Sequence, residues 1–245
     1  MRIVTPVFLA VLLLACSFAN VRAVTNDCFA EGIAEYRAGQ FAPAVQAFET
    51  AASVRPAAGM FVNLGLAEWQ RGHAGAAILA WEQALWVDPF NKPAVQDLQF
   101  ARQVTQLDAP QLRWFETLST WLPPAAWLWI AGASLWLAAG IILLPPVFRR
   151  PKAVWHQTVA ACGLCVFLFS LPANWGVISR THLGFVLEDN APLLLTPTRE
   201  GEVISTLTSG EPARKLRTHG NYYLIRTQSD TGWIEREQFG LISRK

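Results

Sequence analysis

Residues 32–56 read GIAEYRAGQFAPAVQAFETAASVRP, and residues 65–89 read GLAEWQRGHAGAAILAWEQALWVDP. Laid over one another, the two stretches share a pattern at a constant offset. Gly32, Ala44, Phe48, Ala51 and Pro56 recur as Gly65, Ala77, Trp81, Ala84 and Pro89, and Gly39 recurs as Gly72. A fixed period of this size marks a repeated helix–turn–helix unit, in which each pair buries its apolar face against the next. The small residues let two helices approach closely. Phe48 and Trp81 fill the space between neighbouring pairs, and Pro56 and Pro89 end the second helix of each pair. A third, incomplete unit follows. Residues 93–105 form one helix with Leu98, Ala101 and Val104 on one face, which is expected to cap the stack.

The pattern matches the tetratricopeptide repeat, so residues 27–106 are expected to hold two such repeats and a capping helix. Repeats of this kind curve, and their first helices line a concave face. Phe29, Ile33, Tyr36, Arg37, Val62, Leu66, Trp69 and Gln70 fall on that face. Tyr36, Arg37, Val62, Leu66, Trp69 and Gln70 are the candidate partner-binding residues, with Trp69 as the central aromatic anchor.

Outward from the repeat the chain turns apolar. Of its 245 residues, 52% are hydrophobic and 16% charged, against about 25% charged in an ordinary globular chain. Mean hydropathy is +0.26. Residues 125–147 and 153–178 carry no formal charge with His156 neutral, and each exceeds the roughly 20 residues needed to span a bilayer. Between them, residues 148–152 include Arg149, Arg150 and Lys152. That basic loop is expected on the cytoplasmic side. Both large flanking segments are then expected in the same, exported compartment. Seven of the eleven Trp fall between Trp114 and Trp175, a density suited to membrane interfaces. Residues 107–122 precede the first span. Within them Trp114, Leu118, Trp121 and Leu122 recur at helical spacing. They predict a short amphipathic helix on the membrane, or a continuation of the span across Pro123-Pro124.

The first 23 residues read as a secretory signal with Arg2 in a basic n-region. Cleavage after Ala23, retention, and lipidation at Cys16 within Leu13-Leu14-Ala15-Cys16 remain alternatives. A net charge of +2 offers no electrostatic case for nucleic acid.

Beyond the second span, residues 183–245 read as short strands broken by turns: 193–195, 203–207, 213–217, 222–227 and 232–235. This pattern suits a small β-barrel. The runs Ala191-Pro192-Leu193, Gly210-Glu211-Pro212, Asn221-Tyr222-Tyr223-Leu224-Ile225-Arg226 and Gly232-Trp233-Ile234 resemble the bacterial SH3 domain family. Tyr222, Tyr223 and Trp233 are the candidate ligand-binding aromatics, although alternation puts the two Tyr on opposite faces. The resemblance implies cell-wall peptides as one class of ligand.

Cys162 and Cys165 form a C-x-x-C inside the second span. Without His or acidic partners at that depth they read as apolar packing rather than redox chemistry. No catalytic constellation, cofactor motif or metal cluster is legible, so no enzyme, cofactor or metal is expected. The expected fold class is a multidomain membrane protein: an all-α repeat, a transmembrane helical hairpin and an all-β SH3-like barrel. Gly75-Ala76-Ala77-Ile78-Leu79-Ala80-Trp81-Glu82-Gln83-Ala84 and Leu98-Gln99-Phe100-Ala101-Arg102, in this order of modules, resemble BatE-type aerotolerance proteins. That resemblance implies an envelope-stress scaffold whose partners are von Willebrand-type membrane proteins and a MoxR-type ATPase system. The alternative is a sensor that binds peptidoglycan through the SH3-like domain.

Overall fold

A computed structural model describes residues 27–147 and 154–243. The signal, the lipidation motif and the basic loop lie outside the described residues. Helix α1 covers residues 27–37, followed by α2 (Phe41–Val54), α3 (Ala58–Gln70), α4 (Ala74–Val87) and α5 (Lys92–Thr105). The sequence repeat is also a repeat of backbone bonds. The Gln40 amide donates to the Glu35 carbonyl at 2.9 Å and the His73 amide to the Glu68 carbonyl at 3.0 Å. Gly39 and Gly72 turn the chain at φ +76° and +83°, a region that costs glycine little. A Cβ on Gly32 would stand 2.6 Å from the Phe48 ring, and one on Gly65 would overlap the Trp81 indole. Glycine against aromatic is therefore the contact that closes both pairs.

Helix α5 starts on Asn91, whose side chain accepts from the Ala94 amide at 3.1 Å, with Pro93 in the first turn. This is ordinary N-cap chemistry. Leu98 and Ala101 are buried as expected, but Val104 is 58% exposed. Six residues along a helix put Val104 about 120° round from Leu98, off the buried face, and beyond the helix the chain reverses at Gln106, where φ is +56°. It returns Leu107 to the cluster around Leu98, and Leu107 packs there together with Leu112.

Helix α6 (Trp114–Ser119) is shorter than the 107–122 helix expected. Residues 107–113 are irregular and Pro110 interrupts them. Helices α7 (Pro124–Val147) and α8 (Val154–Arg180) follow. Their segments Pro124–Leu143 and Trp155–Arg180 are long and apolar enough to cross a membrane, with mean hydropathies of 1.9 and 1.7. Only 17% and 22% of their most apolar windows is buried, whereas the core helix of a soluble domain is mostly buried. The two are antiparallel. Near one end the Asn174 side chain donates to the Trp127 carbonyl at 3.2 Å. Further along, Gly163 fits against Ser134 and Ala138. Residues 27–122 and 181–243 therefore leave the hairpin at the same end.

Seven strands complete the fold: β1 (Leu183–Val186), β2 (Ala191–Leu194), β3 (Val203–Leu207), β4 (Pro212–His219), β5 (Tyr222–Arg226), β6 (Thr231–Glu235) and β7 (Phe239–Leu241). They form one antiparallel sheet in the order β3-β2-β6-β5-β4-β1-β7. Val186, Ala191, Leu193, Leu207, Ala213, Tyr223, Ile225, Ile234 and Phe239 meet in one core. Every strand contributes to it, so the sheet curls around its own inner face.

The helical and sheet parts are not separate beads. Helix α4 lies on β1 and β7, and Leu183, Phe185 and Ile242 share a core with Ala77, Ile78, Trp81, Leu98 and Ala101. Three glycines permit the approach: Gly75 against the Val186 carbonyl, Gly210 against Ile78, and Gly240 against Leu79. The Ser209 hydroxyl accepts from the Gly75 amide at 2.8 Å, and Gln83 donates to the Leu241 carbonyl at 3.1 Å. The sheet thus covers part of the apolar surface that the sequence assigned to a capping helix alone.

Candidate partner-binding surface and the junction behind it

The six candidate partner-binding residues divide by depth. Val62 is buried, and its carbonyl accepts from the Trp81 indole at 3.3 Å. Leu66 is half-buried between two clusters. Tyr36 lies edge-on to Phe41, 5.4 Å between ring centroids. Trp69 is half-buried, its ring 5.9 Å from Trp81 and 5.7 Å from Phe100. It therefore supports the fold as well as presenting an edge. Arg37 and Gln70 are exposed at equivalent points of the two units, and Phe29 and Ile33 lean on the core. The accessible part of this face is Arg37 and Gln70 beside the edges of Tyr36 and Trp69. Helix α5 extends it with Phe100, 55% exposed, and Val104. Phe100 was quoted in the sequence as part of the cap. Its exposure was not legible there, because it depends on which side of α5 packs against α4.

In the sheet, Tyr222 and Trp233 are half-exposed, whereas Tyr223 is buried in the core beneath Lys215 and Arg236. Of the three candidate ligand-binding aromatics, Tyr223 is placed to hold the core. His219 meets Trp233 edge-on at 6.0 Å. Cys162 and Cys165 face outward from α8, and Cys28 packs against the first helix pair.

Sequence reasoning missed a charged junction where helices, hairpin and sheet converge. Glu116 on α6 is fully buried. Both its oxygens accept from the Arg214 guanidinium, at 2.7 and 2.6 Å. The Arg113 amide donates to it at 2.8 Å, and the Ser179 hydroxyl at the end of α8 donates as well. One carboxylate thus ties α6, α8 and β4 together. Next to it Arg180 is 6% exposed, its guanidinium 5.1 Å from the centre of the Trp86 ring. Glu82 on α4 pairs with Arg102 on α5. Gly176 lets the Phe115 carbonyl settle against α8. The signals were present as Glu116, Arg180 and Arg214, but their meeting depends on contacts across 98 positions of sequence.

These carboxylates respond to pH in opposite senses. Burial pushes Glu116 up, yet the hydrogen bonds from Arg214, Ser179 and the Arg113 amide hold it below its ordinary value. Its stabilisation is present above the ordinary carboxylate range and is lost as pH falls through its lowered value. Burial raises Glu82 against the pull of Arg102 and Arg180. Its contribution is full at low pH and is lost as pH rises through its raised value. From these two groups, thermal stability of the full chain in detergent is expected to peak in the ordinary carboxylate range and to decline on either side of it. Glu82→Gln should flatten the decline toward higher pH. Glu116→Gln should lower stability at neutral pH and weaken the acid limb. Unchanged limbs in both variants would contradict the assignment.

No family model matches the chain, and no curated protein matches it.

Proposed function

We propose that this chain is a non-enzymatic membrane scaffold of the BatE type, with tetratricopeptide repeats and an SH3-like domain held together on the exported side of a bacterial inner membrane. The observation that carries the reading is the pair of glycine–aromatic contacts, Gly32 with Phe48 and Gly65 with Trp81, at the sequence offset of the repeat. A helical repeat of this kind offers a surface for another protein. Here that surface is Arg37 and Gln70, flanked by Tyr36, Trp69 and Phe100. Orientation follows from the basic loop at 148–152. A shared attachment end gives both folded parts the same compartment, so the repeats recruit one partner while the sheet holds a second partner or the wall, each at raised effective concentration. By resemblance the partners are von Willebrand-type membrane proteins and a MoxR-type ATPase system in aerotolerance.

The test is brief in-cell crosslinking, then affinity purification of the full chain from membranes. Because Trp69 packs on Trp81, Trp69→Ala would mix loss of binding with loss of fold. Arg37→Glu with Gln70→Glu, and separately Phe100→Ser, alter exposed positions. The expected result is about tenfold less co-purified von Willebrand-type protein at an unchanged membrane level. Capture that survives both variants would count against the helical face as the recruiting surface.

A further inference from the structure

We propose that the outer face of the β4–β5–β6 ribbon docks on anionic phospholipid headgroups of the membrane that α7 and α8 cross. The proposal rests on the two-span reading.

The strand register sets this face. Arg214 pairs with Arg226, Arg217 with Leu224 after an irregularity at Leu216, and Leu224 with Trp233. Ala213, Tyr223, Ile225 and Ile234 point into the sheet core. Alternation then sends Arg214, Arg217, Arg226, Tyr222 and Trp233 to the opposite side.

That side is turned toward the membrane end of the molecule. Arg214 grips Glu116 on α6, and α6 rests on the last turns of α8 through Ser179 and Gly176. Beside it the exposed Trp121 and Trp175 stand where α7 begins and α8 ends, at the depth indole rings favour. Strand β1 leads away from α8, and β4 runs antiparallel to it with Arg214 opposite Leu183. The five residues of β4 after Arg214 therefore overrun β1 on the side where it joins α8, a reach of about 17 Å.

The chemistry fits an anionic interface. Arg217 and Arg226 are exposed and make no ion pair among the described residues. Among the outward strand positions there is one carboxylate, Glu235, which accepts from the Tyr222 hydroxyl at 3.4 Å. Tyr222 and Trp233 add amphipathic rings of the type that settle among headgroups. Basic side chains near an anionic leaflet each contribute about fivefold in partitioning.

The test uses the full chain in nanodiscs, with Cys16 and Cys28 replaced by serine and Cys162 and Cys165 by alanine. An environment-sensitive fluorophore is attached at Asn221→Cys, in the β4–β5 turn. A second sample carries it at Trp121→Cys as the depth reference. Discs contain phosphatidylcholine alone or with about a third phosphatidylglycerol, and a headgroup-labelled quencher lipid. The expected result is quenching at Asn221→Cys in anionic discs. It should fall by about an order of magnitude with Arg217→Ser and Arg226→Ser together. It should return with lysine at both positions, and fade in about 0.5 M salt. No quenching at Asn221→Cys while the Trp121→Cys label is quenched overturns the headgroup proposal alone. No quenching at Trp121→Cys overturns the membrane reading and this proposal with it. Emission at Asn221→Cys that responds to soluble peptidoglycan stem peptides but not to lipid charge overturns it in favour of a wall ligand.

Discussion

Arg214→Ala is expected to cost about 3–5 kcal/mol, the range for stripping the partner from a buried charge. Glu116 has no exposed surface, and Arg214 supplies two of its hydrogen bonds. Without that guanidinium the carboxylate keeps the Ser179 hydroxyl, the Arg113 amide and the neighbouring charge of Arg180 but loses its ion-pair partner. Because the pair links β4 to α6 and α8, the damage should appear first as separation of the sheet from the hairpin. Two measurements follow on the full chain in detergent: thermal unfolding, and protease cleavage in the Thr181–His182 connection. Arg214→Lys should recover part of the loss, since it keeps the charge but not the two-pronged geometry. If Arg214→Ala lowers the melting temperature no more than Arg217→Ala, at an exposed neighbouring position, the junction does not hold the sheet in place.

The second large effect is expected at Trp81. Its side chain is 1% exposed and belongs to the core shared by the repeats and the sheet. Truncation to alanine removes the ring that fills the space over Gly65 and leaves a large cavity, a loss of about 3–5 kcal/mol. The repeat-equivalent Phe48 is also buried, but its cluster contains no residue of the sheet. Trp81→Ala should therefore loosen helices and sheet together, whereas Phe48→Ala should loosen the first helix pair and spare the sheet. Hydrogen exchange resolved by segment separates the two patterns. Protection of β1 and β7 that survives Trp81→Ala would mean the shared core is not structurally coupled.

Much of the architecture was written locally. The repeat was legible because each unit needs a glycine, an aromatic and a turn at the same positions, Phe48 in one unit and Trp81 in the other. The helix pairs bear this out in matching hydrogen bonds at Gln40 and His73. The apolar runs were legible because bilayer thickness demands length and absence of charge. Five of the seven strands lie where alternation and turn residues put them. Strand β1 escaped because Leu183 to Val186 is buried throughout, so it shows no alternation. Strand β7 escaped because three residues are too few for a period. The candidate aromatics were legible as residue types but not as depths. Tyr223 lies in the core and Phe100 on the surface because of how whole elements pack.

By itself the sequence determined the order of the parts, the helix-pair period, two stretches able to cross a membrane, and a strand-rich end. Each follows from interactions between residues near one another in the chain, or from bilayer thickness. Only the tertiary structure decided that α4 lies on β1 and β7, that the sheet completes the helical core, and that Glu116 gathers Ser179 and Arg214 from distant segments. Those are long-range contacts. Local propensity and periodicity carry no information about which apolar faces meet, or which buried charge finds its partner.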